Sequence, residues 1–306
     1  MRSVSVVIPA YNRADLIQRT LDAILNQTIP AEIIVVDDGS TDNTRDVVQG
    51  YRDRVRLIAI KNSGDLVARN IGLKACTGEL VAFCDSDDIW EPTFLSTMAD
   101  QWSTSPDLVS CYSNFRILMD GQVSRTTKFD DAPVDYWDGM RRTSDHSGIF
   151  DFSIVRRLLT FQCLFASCIM VSRGAFLATG GWDEGVSRII GCDFATALRL
   201  AEHPPMGIVD TPLVQIRKHS TNISGNSERM NFGDADVLEY VLRTRPSLRH
   251  LEADILDSVA DRRAAAIDSA FSRGDYEAFR KFYGLLPRRL RSGKRWVKHL
   301  VTLARP

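Results

Sequence analysis

Along the first part of the chain, short apolar runs break off abruptly at turn-forming or acidic residues. Residues 3–8, 33–36, 55–60 and 80–84 are nearly continuous in apolar character rather than alternating, as in strands buried on both faces. Between the first two runs the period changes. Ile17, Leu21, Ile24 and Leu25 fall on one helical stripe, and residues 65–75 form a later helix that carries Arg69 and Asn70 and ends at Thr77-Gly78. The series strand, helix, strand, helix, strand, helix, strand predicts a doubly wound parallel sheet. Asn12 suits an N-cap for the first helix, and Ser40 or Thr41 for the second. Further on, the pattern predicts a helix from Trp90 to about Trp102 and strands at 108–113 and 167–172. A short helix then closes at Gly180-Gly181, followed by a helix at 194–202 and short strands at 208–209 and 213–216. Residues 115–159 mix charges, aromatics and glycines without a period, and read as a surface insertion or a mobile lid. Beyond about residue 230, Val237, Leu238, Val241 and Leu242, then Leu251, Ile255, Leu256 and Val259, have helical spacing.

Composition narrows the function classes. A chain that is 44% hydrophobic and 25% charged, with a formal net charge of -1, is built like a soluble globular protein and offers nucleic acid no general attraction. No apolar run approaches the ~18 residues of a membrane span, so a cytoplasmic enzyme is expected. The six cysteines are scattered without CxxC spacing and read as buried free thiols. The end of the chain is lopsided: from Arg280 onward there are nine Lys or Arg and no Asp or Glu, interleaved with apolar residues such as Trp296, Leu300 and Leu303. That segment suits peripheral contact of residues 280–306 with an anionic membrane surface at the inner face. It equally suits packing on the domain or on a second copy of the chain, a homo-oligomer.

The chemistry gathers where the strands end. Leu80–Cys84 runs into Asp85-Ser86-Asp87-Asp88, and Val35-Val36 runs into Asp37-Asp38-Gly39-Ser40. In open α/β sheets ligands bind outside the carboxyl ends of the strands. Carboxylates crowded there repel one another unless a cation relieves them. A nicotinamide site is disfavoured, because Pro9-Ala10-Tyr11-Asn12-Arg13 stands where a GxGxxG loop would follow the first strand.

The pieces together resemble family-2 glycosyltransferases of the GT-A fold. Val6–Asn12, Val35–Asp42, Ala68-Arg69-Asn70-Ile71-Gly72 with Thr77-Gly78-Glu79, and Phe83–Asp88 occur in that family's order and spacing. The likeness continues through Gly180–Glu184, Gly191-Cys192-Asp193 and residues 217–224, covering about residues 3–225. It implies inverting transfer of a sugar from a nucleotide diphosphate donor, a UDP-sugar being favoured, to a saccharide or glycolipid hydroxyl in surface polysaccharide assembly. On that resemblance Pro9, Ala10 and Tyr11 line the base pocket and Asp38 accepts from the base ring N–H, while Asp37 orients the loop and Arg69 approaches the diphosphate. Asp85-Ser86-Asp87 fits the DXD pattern, with Asp87 the direct ligand of Mn2+ or Mg2+, Asp85 a ribose or water-mediated metal contact, Ser86 on the nucleotide, and Asp88 a helix cap. Asp193 is the base. The family usually shows Glu-Asp there and this chain has Cys192-Asp193, which leaves the second acid in place. His219 is a further metal or diphosphate contact, and Trp182, Asp183 and Glu184 are acceptor-site or loop residues.

The expected organisation is a glycosyltransferase domain over residues 1–230 with a helical extension at 231–306. Within the domain, about 1–104 would bind nucleotide and about 105–230 acceptor. Two rivals share the sheet: a sugar-1-phosphate nucleotidyltransferase, which would release pyrophosphate, and a non-catalytic sugar-nucleotide-binding protein, which would bind without turnover.

Overall fold

The computed structural model describes residues 2–218, 227–291 and 293–304. The alternation expected over the first ninety residues is present. Strand β1 (Val4–Ala10) leads to helix α1 (Ile17–Leu25), β2 (Glu32–Asp37) to α2 (Thr44–Gln49), and β3 (Arg56–Ala59) to α3 (Asp65–Ala75), with β4 (Leu80–Phe83) following. β1 and β4 are buried along their whole length, which is why their sequences carry no polar alternation. Ile17, Leu21 and Ile24 are the buried face of α1. Gly72 lets α3 lie close on the sheet, since a Cβ there would stand 2.3 Å from Val7 Cγ1.

Two caps fall elsewhere than expected. α1 begins only at Ile17, and Asn12, at φ 52°, instead joins two loops. Neither Ser40 nor Thr41 caps α2; the Asp42 carboxylate accepts from Thr44 N at 3.0 Å.

The expected helix at Trp90 starts later. Ile89–Trp90 is a two-residue strand, β5, and α4 spans Phe94–Thr104. β6 (Ser110–Met119) and β7 (Gln122–Val123) pair antiparallel. β8 (Arg141–Ser144) and β9 (Ser147–Phe150) form a hairpin, followed by α5 (Val155–Thr160). The stretch read as an irregular insertion therefore supplies sheet strands. Its pattern is obscured because β8 is largely exposed and β9 wholly buried, so neither alternates. Next come β10 (Ile169–Ser172), α6 (Arg173–Ala178), α7 (Asp193–Ala201) and β11 (Met206–Lys218), the last merging the two short strands expected there through register shifts between Val209 and Val214.

All eleven strands described join one mixed sheet in the order β3-β2-β1-β4-β10-β6-β11-β9-β8, with β5 on β11 and β7 on β6. β3-β2-β1-β4 are mutually parallel, as are β6 and β11; the other pairings are antiparallel. The chain winds outward from β1 to β2 and β3, then returns to β4 on the other side of β1. That reversal is a topological switch point, where the crevice at the carboxyl ends of the strands opens.

Two compact units result, Met1–Ser187 with Thr196–His219, and Arg188–Ala195 with Ser220–Pro306. The second contains α8 (Ser227–Thr244), α9 (Glu252–Ser272), α10 (Tyr276–Tyr283) and α11 (Lys294–Leu303), with a small core of Ala264, Ile267, Phe279, Tyr283 and Leu286. All six cysteines are free and buried. No helix among the described residues is long and apolar enough to cross a membrane.

Candidate active site

The carboxyl ends of β1, β2 and β4 meet at the switch point, and each delivers polar groups there. From β1, Pro9 and Ala10 are buried in register with Val36 and Asp37, while the Tyr11 ring beyond them is 45% exposed. Asn12 ties this loop to the next: its N–H donates to Ser40 Oγ at 2.9 Å, and its Oδ1 accepts from Thr41 N at 2.8 Å. At the end of β2, fully buried Asp37 accepts from Arg45 Nε at 2.5 Å and from Ser40 N at 3.3 Å, so it pins the turn as expected. Asp38 accepts from Ser63 N at 2.6 Å and Gly64 N at 2.8 Å, one bond to each oxygen. Gly64 permits this with φ 99°, a conformation that side chains disfavour, and so the carboxylate holds the start of α3.

Arg69 of α3 is 2% exposed. Its guanidinium lies 4.9 Å over the Trp182 ring, pairs with Asp85, and has Asp65 at 3.8 Å. Asn70, next on the helix, donates to the Trp182 carbonyl at 2.9 Å and to Glu184 Oε1 at 2.7 Å, and accepts from Trp182 N at 2.9 Å. Asp183 is bound by Arg199 at 2.7 Å. Trp182, Asp183 and Glu184 thus form a loop clamped onto α3 and α7, with Trp182 edge-on to Phe83 and Phe176.

One carboxylate oxygen from each of Asp85, Asp87 and Asp88 lies within 4.8 Å of the others. At that spacing and an effective dielectric of ~20, a fully ionised pair repels by about 3 kcal/mol, less for Asp85, whose side chain is 42% exposed and screened by water. Asp88 is not a helix cap. It is buried ahead of β5, accepts from Ser167 Oγ at 2.5 Å and from Arg217 N at 2.9 Å, and belongs to the cluster. Burial, reinforced by the charges of Asp85 and Asp87, pushes its carboxyl well above the usual carboxylate range. Three crowded hard oxygen donors suit a divalent cation, which would relieve that repulsion.

Three further residues serve this edge, of which the sequence singles out only Arg217, within the 217–224 segment. Arg13 Nε lies 3.8 Å from Asp87. Ser167 holds Asp88 and also accepts from Asp85 N at 2.9 Å. Arg217 donates through Nε to the Asp87 carbonyl at 2.9 Å. Arg13 could have been suspected from its place just past a strand end; Ser167 carries no local signal at all.

The structure therefore brings Pro9, Ala10, Tyr11, Asp38, Arg69, Asp85, Ser86 and Asp87 to one sheet edge. Asp193 stands in the first turn of α7 and falls in the second unit. His219 lies outside the described residues.

The chain is similar to known proteins. The model of glycosyl transferase family 2 matches residues 5–176. A UDP-Glc:alpha-D-GlcNAc-diphosphoundecaprenol beta-1,3-glucosyltransferase of Escherichia coli is 42% identical over 124 residues, 39% of this chain and 49% of that protein. A validoxylamine A glucosyltransferase of Streptomyces hygroscopicus is 30% identical over 249 residues, 72% of this chain and 58% of that one. The chain thus covers less than two thirds of either relative's length. Among solved structures, S. aureus TarS 1-349 in complex with UDP-GlcNAc superposes with a TM-score of 0.62 over 98% of this chain and 89% of that one, at 16% identity, which speaks to the fold alone.

Proposed function

The chain belongs to glycosyl transferase family 2, and from this we propose that it transfers a sugar, with inversion, from a UDP-sugar to a hydroxyl of a saccharide or glycolipid acceptor in surface glycan assembly. The observation that carries the reading is the convergence of Asp85, Asp87 and Asp88 at the end of β4, on the sheet edge that also carries Asp38, with Arg69 of α3 paired to Asp85. One relative supports the donor class: the Escherichia coli enzyme is named for UDP-Glc. The same Escherichia coli name specifies a diphosphoundecaprenol-linked acceptor, which favours a lipid-linked saccharide and peripheral contact with the inner face of a membrane.

Within this reading Tyr11 stacks on the base. Asp38, already fixing the start of α3 with one bond per oxygen, has lone pairs left for the base N–H. Asp87 holds Mn2+ or Mg2+ directly, with Asp85, steadied by Arg69 and Ser167, beside the ribose. The bound cation supplies charge neutralisation for the departing diphosphate. Ser86 lines the nucleotide side, and Trp182, Asp183 and Glu184 are the loop that sets Arg69 in place. Asp193, in the first turn of α7, takes the proton from the acceptor hydroxyl.

The test is a panel of nucleotide sugars with Mn2+, with Mg2+ and with EDTA, read by the released nucleotide. UDP release that depends on metal is expected. Pyrophosphate release would assign a nucleotidyltransferase instead, and tight nucleotide binding with no turnover under any acceptor would assign a binding protein.

A further inference from the structure

Helix α11 is inside out. Trp296, Val297, Leu300 and Leu303 are 45–62% exposed, while Arg295, Lys298, His299 and Thr302 turn toward the helices beside it. Arg295 and Lys298 both reach Asp268 of α9, at 2.8 and 2.7 Å. Thr302 is fully buried, its carbonyl accepts from Arg280 near the end of α10, and the His299 ring stacks 4.2 Å from Tyr283. Trp296, Leu300 and Leu303 sit at i, i+4 and i+7, one stripe of the helix. A soluble helix gains nothing by turning such a stripe to water, and ion pairs fix it in that attitude; contiguous exposed apolar surface marks an interaction face.

The charge of the segment selects the partner. Lys281, Arg288 and Lys294 are exposed and hold no ion pair among the described residues, and the chain from Arg280 onward has nine basic residues and no acidic one. A face-to-face contact between two copies would set these cations against themselves. Anionic headgroups would neutralise them, and tryptophan favours the boundary between headgroup and acyl chain. Ten residues span ~15 Å, enough to lie in a membrane surface and too little to cross it.

We propose that α11 is a surface-lying membrane helix. Trp296, Val297, Leu300 and Leu303 enter the headgroup boundary of an anionic bilayer, Lys281, Arg288 and Lys294 meet its phosphates, and the Asp268 clamp keeps the apolar side outward. The inference rests on the peripheral contact proposed above and assigns it to one helix face.

The native full chain should cosediment with phosphatidylglycerol-containing vesicles, far less with phosphatidylcholine alone, and less as salt rises. Trp296→Ser combined with Leu300→Ser should lower the vesicle partition coefficient at least about tenfold. Because both side chains are exposed, the unfolding midpoint should not move. Arg288→Glu with Lys294→Glu should cost a similar factor, about tenfold. Native tryptophan emission should shift to the blue on vesicle addition, and a Trp296→Phe chain should still bind but lose most of that shift. Equal binding by the double serine variant would overturn α11 as the agent while leaving peripheral contact standing. No vesicle binding by the native chain would remove both, without touching UDP release from the donor in the presence of soluble acceptors. A dimer in sedimentation velocity that Leu300→Ser dissolves, with no vesicle binding, would reassign the face to a second copy.

Discussion

Both units of the molecule carry closely partnered acids, and the two sets are treated in opposite ways. In the helical unit three half-buried acids have cations beside them: Asp268 binds Arg295 and Lys298, Glu239 binds Arg263 at 2.8 Å, and Asp234 has Arg262 at 3.7 Å. At the sheet edge three acids are set against one another. Arg69 and Arg13 approach Asp85 and Asp87, while Asp88 accepts from neutral donors. Paired acids hold helices together. Crowded ones store repulsion that a cation can relieve, so the first group should govern stability and the second activity.

The sharpest break between the two groups should come from Asp87→Ala. UDP release should fall by at least about a hundredfold while the unfolding midpoint barely changes; a chain that unfolds but keeps its turnover when folded would put Asp87 among the structural acids. Asp193→Asn should follow, slowing transfer by roughly two to four orders of magnitude with UDP affinity unchanged in titration calorimetry. Normal transfer would place the base elsewhere.

The helical acids should move stability instead. Burial, opposed by Arg262, raises the Asp234 carboxyl from 3.8 to about 6. A raised acid pKa means the folded chain binds the extra proton, so its contribution is full below the unfolded value and is lost as pH rises through about 6, at most roughly 3 kcal/mol. Asp234→Asn should flatten that part of the urea midpoint's decline between pH 4 and 7; an unchanged slope would mean the group is better solvated than its position implies. For Asp268, burial works against ionisation, yet bonds from Lys298 and Arg295 outweigh it and hold the carboxyl below the usual range. Its contribution is present above the ordinary carboxylate pKa and lost as pH falls through the lowered one. Asp268→Asn should therefore cost about 1 kcal/mol near pH 7, less in high salt, and leave UDP release intact.

Legibility in the sequence followed burial in the same way. β1, β2 and β4 could be read because they are buried on both faces and carry uninterrupted apolar residues. Asp85 and Asp87 could be read because they end such a run. Asp88 was mistaken for a cap, since local sequence cannot show that Ser167 and Arg217, 79 and 129 residues away, take up its oxygens. The β8–β9 hairpin was hidden because its strands lie on opposite extremes of exposure. The tail's composition fits a membrane-surface helix and a packed one equally, because which side faces outward depends on the Asp268 clamp in α9, and no periodicity within α11 records that.

The most direct test of the central claim is the linkage between metal and nucleotide in the whole chain. UDP should be titrated by calorimetry in the presence of Mn2+ and again in EDTA, for the native protein and for Asp87→Ala. If the strand-end acids grip a cation that grips the diphosphate, Mn2+ should tighten UDP binding at least about tenfold in the native chain and not at all in the variant. UDP binding of equal strength with Mn2+ and with EDTA in the native protein would contradict the account.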